Sequence, residues 1–335
     1  MCLSYSCTIN VFNLEKITMN QADKLEFHYY FNDASHNIDA LVRNKCEAEV
    51  LAILLEAANI LDISIEVNSE VFREGGFREF WKLLGEHGSQ ITILLAIVTI
   101  VLSRVPVSDP EIELLEREIK KLTIEEKKLN IQKLKLELKE KSVAQIDHEV
   151  IGKAARYVDK SLKVVKRRSN LYTHLSSYHK VDGVGINAIS PDFEPFSDER
   201  RIERKDFRKF ILSSNKLNAE IDDTANIEIV SPVLKEGRYK WKGIYDEKTI
   251  TFDMLDAQFK EDVLLEKVSF KHGSSINCVL RINRELDEVG EIKVTGYAVS
   301  TVIEVSDGIE VNKTKQGNQY LHARKLTRSQ GDLFA

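Results

Sequence analysis

The stretch Ile91–Leu102, ITILLAIVTIVL, decides how the chain is read. It holds no charged residue, and the uncharged window runs from Gly88 to Ser103. At about 1.5 Å per residue such a helix covers roughly 24 Å, short of the roughly 30 Å hydrocarbon layer of a bilayer. That length suits a short span, a re-entrant helix, a buried core helix or the core of an oligomer. Trp81 upstream and Arg104 downstream are placed to act as interfacial anchors, Arg104 by snorkelling. Basic residues flank both sides alike (Arg73, Arg78 and Lys82 against Arg104, Arg117 and Lys120), so they set no orientation. The expectation is an apolar helix over 91–105 whose Ile93, Leu94, Ile97, Val98 and Val101 contact a membrane or a second copy.

Upstream, 1–24 reads as a lead-in and 25–90 as a small α+β unit. LEFHYYF (25–31) is strand-like, and NDAS supplies helix caps in Asp33 and Ser35. Ile38, Leu41, Val42, Cys46, Val50, Ile53, Leu54, Ala57 and Leu61 then recur at steps of three and four, which predicts one broad buried helix face. ISIEV (63–67) alternates like a second strand, and REGG (73–76) breaks the chain before FREFWKLLGEHG. The result is a β-α-β unit leading into the apolar helix.

Downstream, Pro106 and Pro110 end that helix, and 110–142 follows as a coiled coil rich in Glu, Lys and Leu. Leu115, Leu122, Leu129 and Leu136 recur every seven residues, although the companion positions turn from Ile112 and Ile119 to Glu126 and Lys133. The same pattern also fits a long amphipathic helix packed on its own protein. Residues 147–180 read as a basic helix with Arg156, Lys160, Lys163 and Arg167 on one face, either solvated or in contact with phosphate. Residues 181–199, VDGVGINAISPDFEPFSDE, read as a linker. The β-rich C-terminal domain, 200–310, shows three strands, a helix and two strands, the order of a five-stranded OB-like barrel. In RYKWK (238–242) alternation sets Arg238, Lys240 and Lys242 outward and packs Tyr239 and Trp241 into the core. The fold class is α+β.

A chain of 335 residues, 43% hydrophobic and 30% charged, is long enough for two or three units. Its net charge of -5 excludes a polycation wrapped on nucleic acid, and direct nucleic-acid binding is weakly supported. Cys2, Cys7, Cys46 and Cys278 lack the spacing of a disulfide framework or a zinc site. MCLSYSC lacks the basic and apolar regions of a signal peptide, which points to the cytoplasm, at the inner membrane if Ile91–Leu102 reaches lipid. Asp33, His36 and Asp39 could hold a metal, but helix capping explains the same residues. No P-loop, HExxH or GxSxG pattern occurs, so no catalytic residue, metal or cofactor is assigned.

The tail, 311–335, reads as a polar, basic and flexible stalk ending in Gln330-Gly331-Asp332-Leu333-Phe334. This stretch resembles the pentapeptide by which bacterial replication and repair proteins bind the sliding clamp. In such peptides a Gln opens, Ser or Asp sits third and Leu-Phe closes; Gly331 replaces the commoner Leu at the second position. The resemblance implies docking by Gln330, Asp332, Leu333 and Phe334 onto the clamp, the apolar pair filling a pocket. The expected function is a bacterial, non-enzymatic, oligomeric adaptor that joins a membrane or its own assembly to DNA replication or repair. The alternatives are a membrane-acting effector of an antiviral defence or toxin-like system, and an enzyme whose site the sequence hides.

Overall fold

Strand β1 (Lys24–Phe31) forms where LEFHYYF alternates, and it is the middle strand of a five-stranded antiparallel sheet. Its neighbours are β3 (Phe77–Leu84) and β4 (Val181–Ile189), with β2 (Glu66–Glu70) and β5 (Arg200–Glu203) at the edges, in the order β2-β3-β1-β4-β5. The computed structural model describes residues 21–33, 37–70, 77–105 and 148–331. They divide into one unit of Met1–Ser214 with Glu288–Glu291 and a second of Asn215–Asp287 with Ile292–Ala335. The heptad positions Leu115, Leu122, Leu129 and Leu136 lie outside the described residues, as do Ser35 and His36.

Helices α1 (Ala40–Leu61), α2 (Gly88–Ser103), α3 (His148–Asp159) and α4 (Leu162–Ser177) share one core with the sheet face that carries Leu25, Phe27 and Tyr29. Asp39, not Asp33, caps α1 by accepting from the Leu41 and Val42 amides. Asp62 ends it in the left-handed conformation, which short polar side chains tolerate. The apolar face is as the periodicity predicts except at Leu41, which is 71% exposed. FREFWKLL, left unassigned by the sequence pattern, is β3: it pairs with both β1 and β2.

The membrane or oligomer contact expected of α2 is replaced by burial within its own chain. Ile93, Leu94, Ile97, Val98 and Val101 are 0–1% exposed, packed among α1, α3, β3, β4 and β5. A helix apolar all round is a helix covered all round, and each such side chain contributes about 1.5–3 kcal/mol. The helix ends confirm the setting. At its start Thr92 donates to the Gly88 and Ala22 carbonyls and accepts from the Ala22 amide. Near its end Arg168 donates to the Val101 carbonyl (2.6 Å) and the Tyr172 hydroxyl to that of Leu102 (2.9 Å). These buried side chains satisfy carbonyls that a helix end leaves orphaned. Trp81, expected at an interface, is 1% exposed and donates to Glu47; Arg104 pairs with Asp159 at 3.6 Å. Among the described residues no helix is long and apolar enough to cross a membrane.

Two further expectations change. The basic helix is two helices, because Ser161 adopts extended backbone as the N-cap of α4. The linker over 181–199 begins with β4, whose nine residues are buried except Asp182 and whose register with β1 runs through Val181–Ile189. Its glycines serve close approach within a sheet, not a turn: Gly183 faces the Ile202 backbone of β5 and Gly185 the Glu199 side chain.

The second unit is a closed mixed barrel of five strands with one helix, starting at residue 215 instead of 200. β6 (Lys216–Ser231), β7 (Trp241–Tyr245) and β8 (Lys248–Met254) are followed by α5 (Ala257–Leu264), β9 (Ser275–Leu286) and β10 (Ile292–Ser306). β6 pairs with β7 and β9, β8 pairs with β7 and, in parallel, with β10, and β9–β10 pairing closes the ring. Register shifts in β6–β9 and β9–β10 supply the curvature that so small a barrel requires. Trp241, Phe252 and Phe259 fill the interior.

The tail is structured well beyond residue 311. β11 (Val311–Lys313) pairs with Glu304–Ser306, and α6 runs from Lys315 to Gly331. Thr314 starts α6 by accepting from the Gly317 amide while its hydroxyl donates to the Val302 carbonyl. A Cβ on Gly317 would come within 2.5 Å of the Ile303 backbone, so glycine permits the close approach. Arg324 then pairs with Asp223 of β6.

Candidate functional site: a groove on the barrel

Between β6 and β7 the loop 232–240 crosses one end of the barrel. Gly237 sits at φ +138°, a conformation costly for any other residue, and a Cβ there would approach the Tyr239 ring to 2.7 Å. The turn therefore delays β7 until Trp241 and leaves the Tyr239 ring lying against bare backbone. Tyr239, expected in the core, is 55% exposed, whereas Trp241 is 1% exposed as expected. Strand alternation failed for Tyr239 because that residue precedes the strand.

The loop and α5 enclose a groove of about 340 Å³ whose floor is Trp241, Met254 and Val233 and whose wall carries Tyr239, Lys235 and Lys260. Glu236 and Glu261 line it as well, so its two lysines face two acids; Lys242, next to buried Trp241 on β7, is exposed. Lys240 is paired with Asp253 at 3.3 Å. Among the described residues Lys235, Arg238, Lys242 and Lys260 form no ion pair. Asp256 fixes the far wall: one carboxylate oxygen accepts from the Phe259 amide (2.9 Å) and the other from the Val302 amide (2.8 Å).

The first unit holds a denser cluster of ionisable groups on the sheet face away from the helices. Lys24, Glu26 and His28 of β1 are at most 6% exposed, because residues 190–199 strap across them. Lys24 donates to the Pro191 carbonyl at 3.1 Å and lies over the Phe193 ring. Glu26 pairs with Arg78 at 2.9 Å. Glu199 accepts from the Tyr30 hydroxyl at 2.5 Å and bonds His28 Nδ1 at 3.2 Å. A Cβ on Gly185 would lie 2.5 Å from Glu199 Cδ, so the glycine makes room for that carboxylate above the sheet. Burial raises the Glu26 carboxyl above its ordinary range against the opposing pull of Arg78. The His28 hydrogen bond holds Glu199 below that range, and burial together with Glu199 pushes Tyr30 to about 12. Each group is answered by another within the cluster or its strap, an arrangement that pins the strap to the sheet.

The proposed phosphate contacts are dispersed. Arg156 is exposed on α3, whereas Lys163 and Arg167 are on α4, where Arg167 pairs with Glu49 at 3.2 Å and Lys163 with Glu291 at 2.8 Å. Lys160 stands in the break between the helices. Arg168, within the same basic run, is fully buried against Asp159 at 2.5 Å. Among the described residues no group of His, Cys, Asp and Glu could hold a metal ion, and Asp39 serves as a cap. Gln330 lies on the backbone of α6, while Asp332, Leu333 and Phe334 lie outside the described residues. The groove was legible only in part: RYKWK placed Trp241 in the core, but the turn at Gly237 that exposes Tyr239 left a single glycine as its signal. No protein-family model, no curated protein and no solved structure matches this chain.

Proposed function

We propose that the chain is a non-enzymatic adaptor that docks onto the DNA sliding clamp through Gln330, Asp332, Leu333 and Phe334 and self-associates through 110–142. The observation that carries this reading is the peptide Gln330-Gly331-Asp332-Leu333-Phe334, whose first two residues end α6 behind a barrel. The barrel is read as an OB fold: its strands pair in the order first-second-third-fifth-fourth and back to the first, with the helix between the third and fourth. Such barrels recur in proteins that handle nucleic acid, and this supports a clamp as partner only by analogy of fold. Burial of Ile91–Leu102 within its own chain speaks for the adaptor without membrane docking and against the effector alternative.

Titrating the full chain against a bacterial sliding clamp tests the proposal. Leu333→Ala/Phe334→Ala weakens binding at least tenfold, since two apolar anchors each contribute more than 1 kcal/mol in a filled pocket. Gly331→Leu strengthens it. Absence of binding by the unaltered chain, or indifference to the double substitution, ends the proposal.

A further inference from the structure

We infer that residues 190–199 are a releasable lid, which lifts as one piece from the polar face of the first sheet and bares Lys24, Glu26 and His28 while the unit stays folded. The inference does not depend on the clamp reading.

Connectivity provides the hinges. The lid joins β4 to β5, and those strands pair with each other from Gly183↔Glu203 to Ile186↔Arg200. Both ends are therefore fixed in the sheet, and lifting the segment between them unpairs neither strand from the other. What it gives up are bonds that water replaces. The Phe196 amide donates to the Ala188 carbonyl (2.9 Å), and the Ser197 hydroxyl to Asn187 (3.2 Å). Lys24 holds the Ser190 and Pro191 carbonyls at one end, and His28 and Tyr30 hold Glu199 at the other. The aromatic anchor is Phe193, whose ring lies 4.6 Å from the Lys24 ammonium and edge-on to Phe80 at 5.4 Å between centroids.

Three features keep the closed state near release. Phe193 sits at φ +63°, a strained conformation for a bulky residue and one that recurs at clamps and switches. The side chains buried beneath the lid, Lys24, Glu26, His28 and Asn187, regain hydration when it lifts, the reverse of an apolar core. Glu70 Oε2 is buried there as well, 4.0 Å from the Lys24 ammonium and without a hydrogen bond. The lid's exposed residues Asp192, Glu194 and Asp198 are all acidic, and 190–199 holds no base to offset their repulsion. A loop that seals a core covers apolar side chains; a polar array under a strained, acidic cover suits a gated face.

The test labels what the lid hides. The full chain is treated at low dose with acetic anhydride for Lys24 and diethyl pyrocarbonate for His28, and modification is mapped by mass spectrometry. Both residues are modified slowly, at a rate that stays flat in urea below the unfolding transition, as local opening requires. Because the lid moves as one piece, each end controls the other. Phe193→Ala loosens the Lys24 end and raises His28 modification about tenfold. Glu199→Ala loosens the His28 end and raises Lys24 modification about tenfold. Both variants keep the native circular dichroism. Modification of Lys24 and His28 only in step with urea unfolding would overturn the inference, a result that needs no variant to fold. Variants that each free only the residue beside the substitution would overturn it too, since that is local fraying.

Discussion

Gly185 is outside the left-handed region, yet a larger residue does not fit there. Any Cβ would enter the space of the Glu199 carboxylate, which needs that position to reach both His28 and Tyr30. Gly185→Ala is therefore expected to cost about 1–3 kcal/mol by overpacking, read from urea unfolding. In a Glu199→Ala background most of that cost disappears; an unchanged cost would show that the clash lies elsewhere. The same carboxylate gives a pH signature. Its folded pKa lies below its unfolded value, so its contribution is complete above about pH 4.3 and is lost as pH falls through the folded pKa. Glu199→Gln should flatten the acid limb of a stability–pH curve. Glu26 has the opposite sign: its raised folded pKa means stability falls as pH climbs from the ordinary carboxylate value towards the folded one, and Glu26→Gln should flatten that stretch. None of this was visible in VDGVGINAI, because a glycine's tenant is a residue distant in the sequence.

At the scale of elements, α2 and α5 make the sharpest predictions. Ile97 is fully buried, so Ile97→Asp places an unpaired carboxyl in the first core. Loss of cooperative unfolding in that unit is expected, with a cost above about 4 kcal/mol, read by circular dichroism and limited proteolysis. A folded variant released from membranes would instead restore the lipid-contact reading of Ile91–Leu102. Asp256→Ala removes the cap of α5 and orphans the Val302 amide together, about 2–4 kcal/mol by chemical unfolding. Periodicity found α1, the apolar helix α2 (expected over 91–105, observed over Gly88–Ser103) and the strand–helix–strand order of the barrel, since each depends on neighbours a few residues apart. It missed β3 and β4. Both are inner strands of the sheet, with polar residues such as Glu79 and Asn187 buried where alternation assumes solvent.

For the whole molecule, the adaptor proposal assigns self-association to 110–142. If the heptads at Leu122 and Leu129 join copies, Leu122→Lys/Leu129→Lys should reduce the mass measured by light scattering to that of one chain, with the helical signal of both described units retained. A monomeric unaltered protein would remove oligomerisation from the adaptor proposal. At this scale the sequence showed the α+β class and a separate β-rich end. The boundary at residue 215 was not legible, because β5 and the 3-10 turn at Arg204–Phe210 complete the first unit after a stretch that looks like a linker.

The interleaving of the first unit has a consequence for how the protein is made. α2 ends at Ser103, but α3, α4 and β4, which cover it, are complete only at Ile189. At about 5–20 residues per second, a ribosome takes roughly 4–17 s to bridge that gap. Throughout this interval the nascent chain carries a twelve-residue apolar stretch of which α1 and β3 can cover only part. Its greasiness, harmless in the finished protein, is then a hazard of synthesis: the segment competes for chaperones and for the translocation machinery of whichever cell makes it. Slowing translation between residues 103 and 189 should raise the insoluble fraction, and co-expressing a holdase chaperone should lower it, while the stability of protein already folded stays the same.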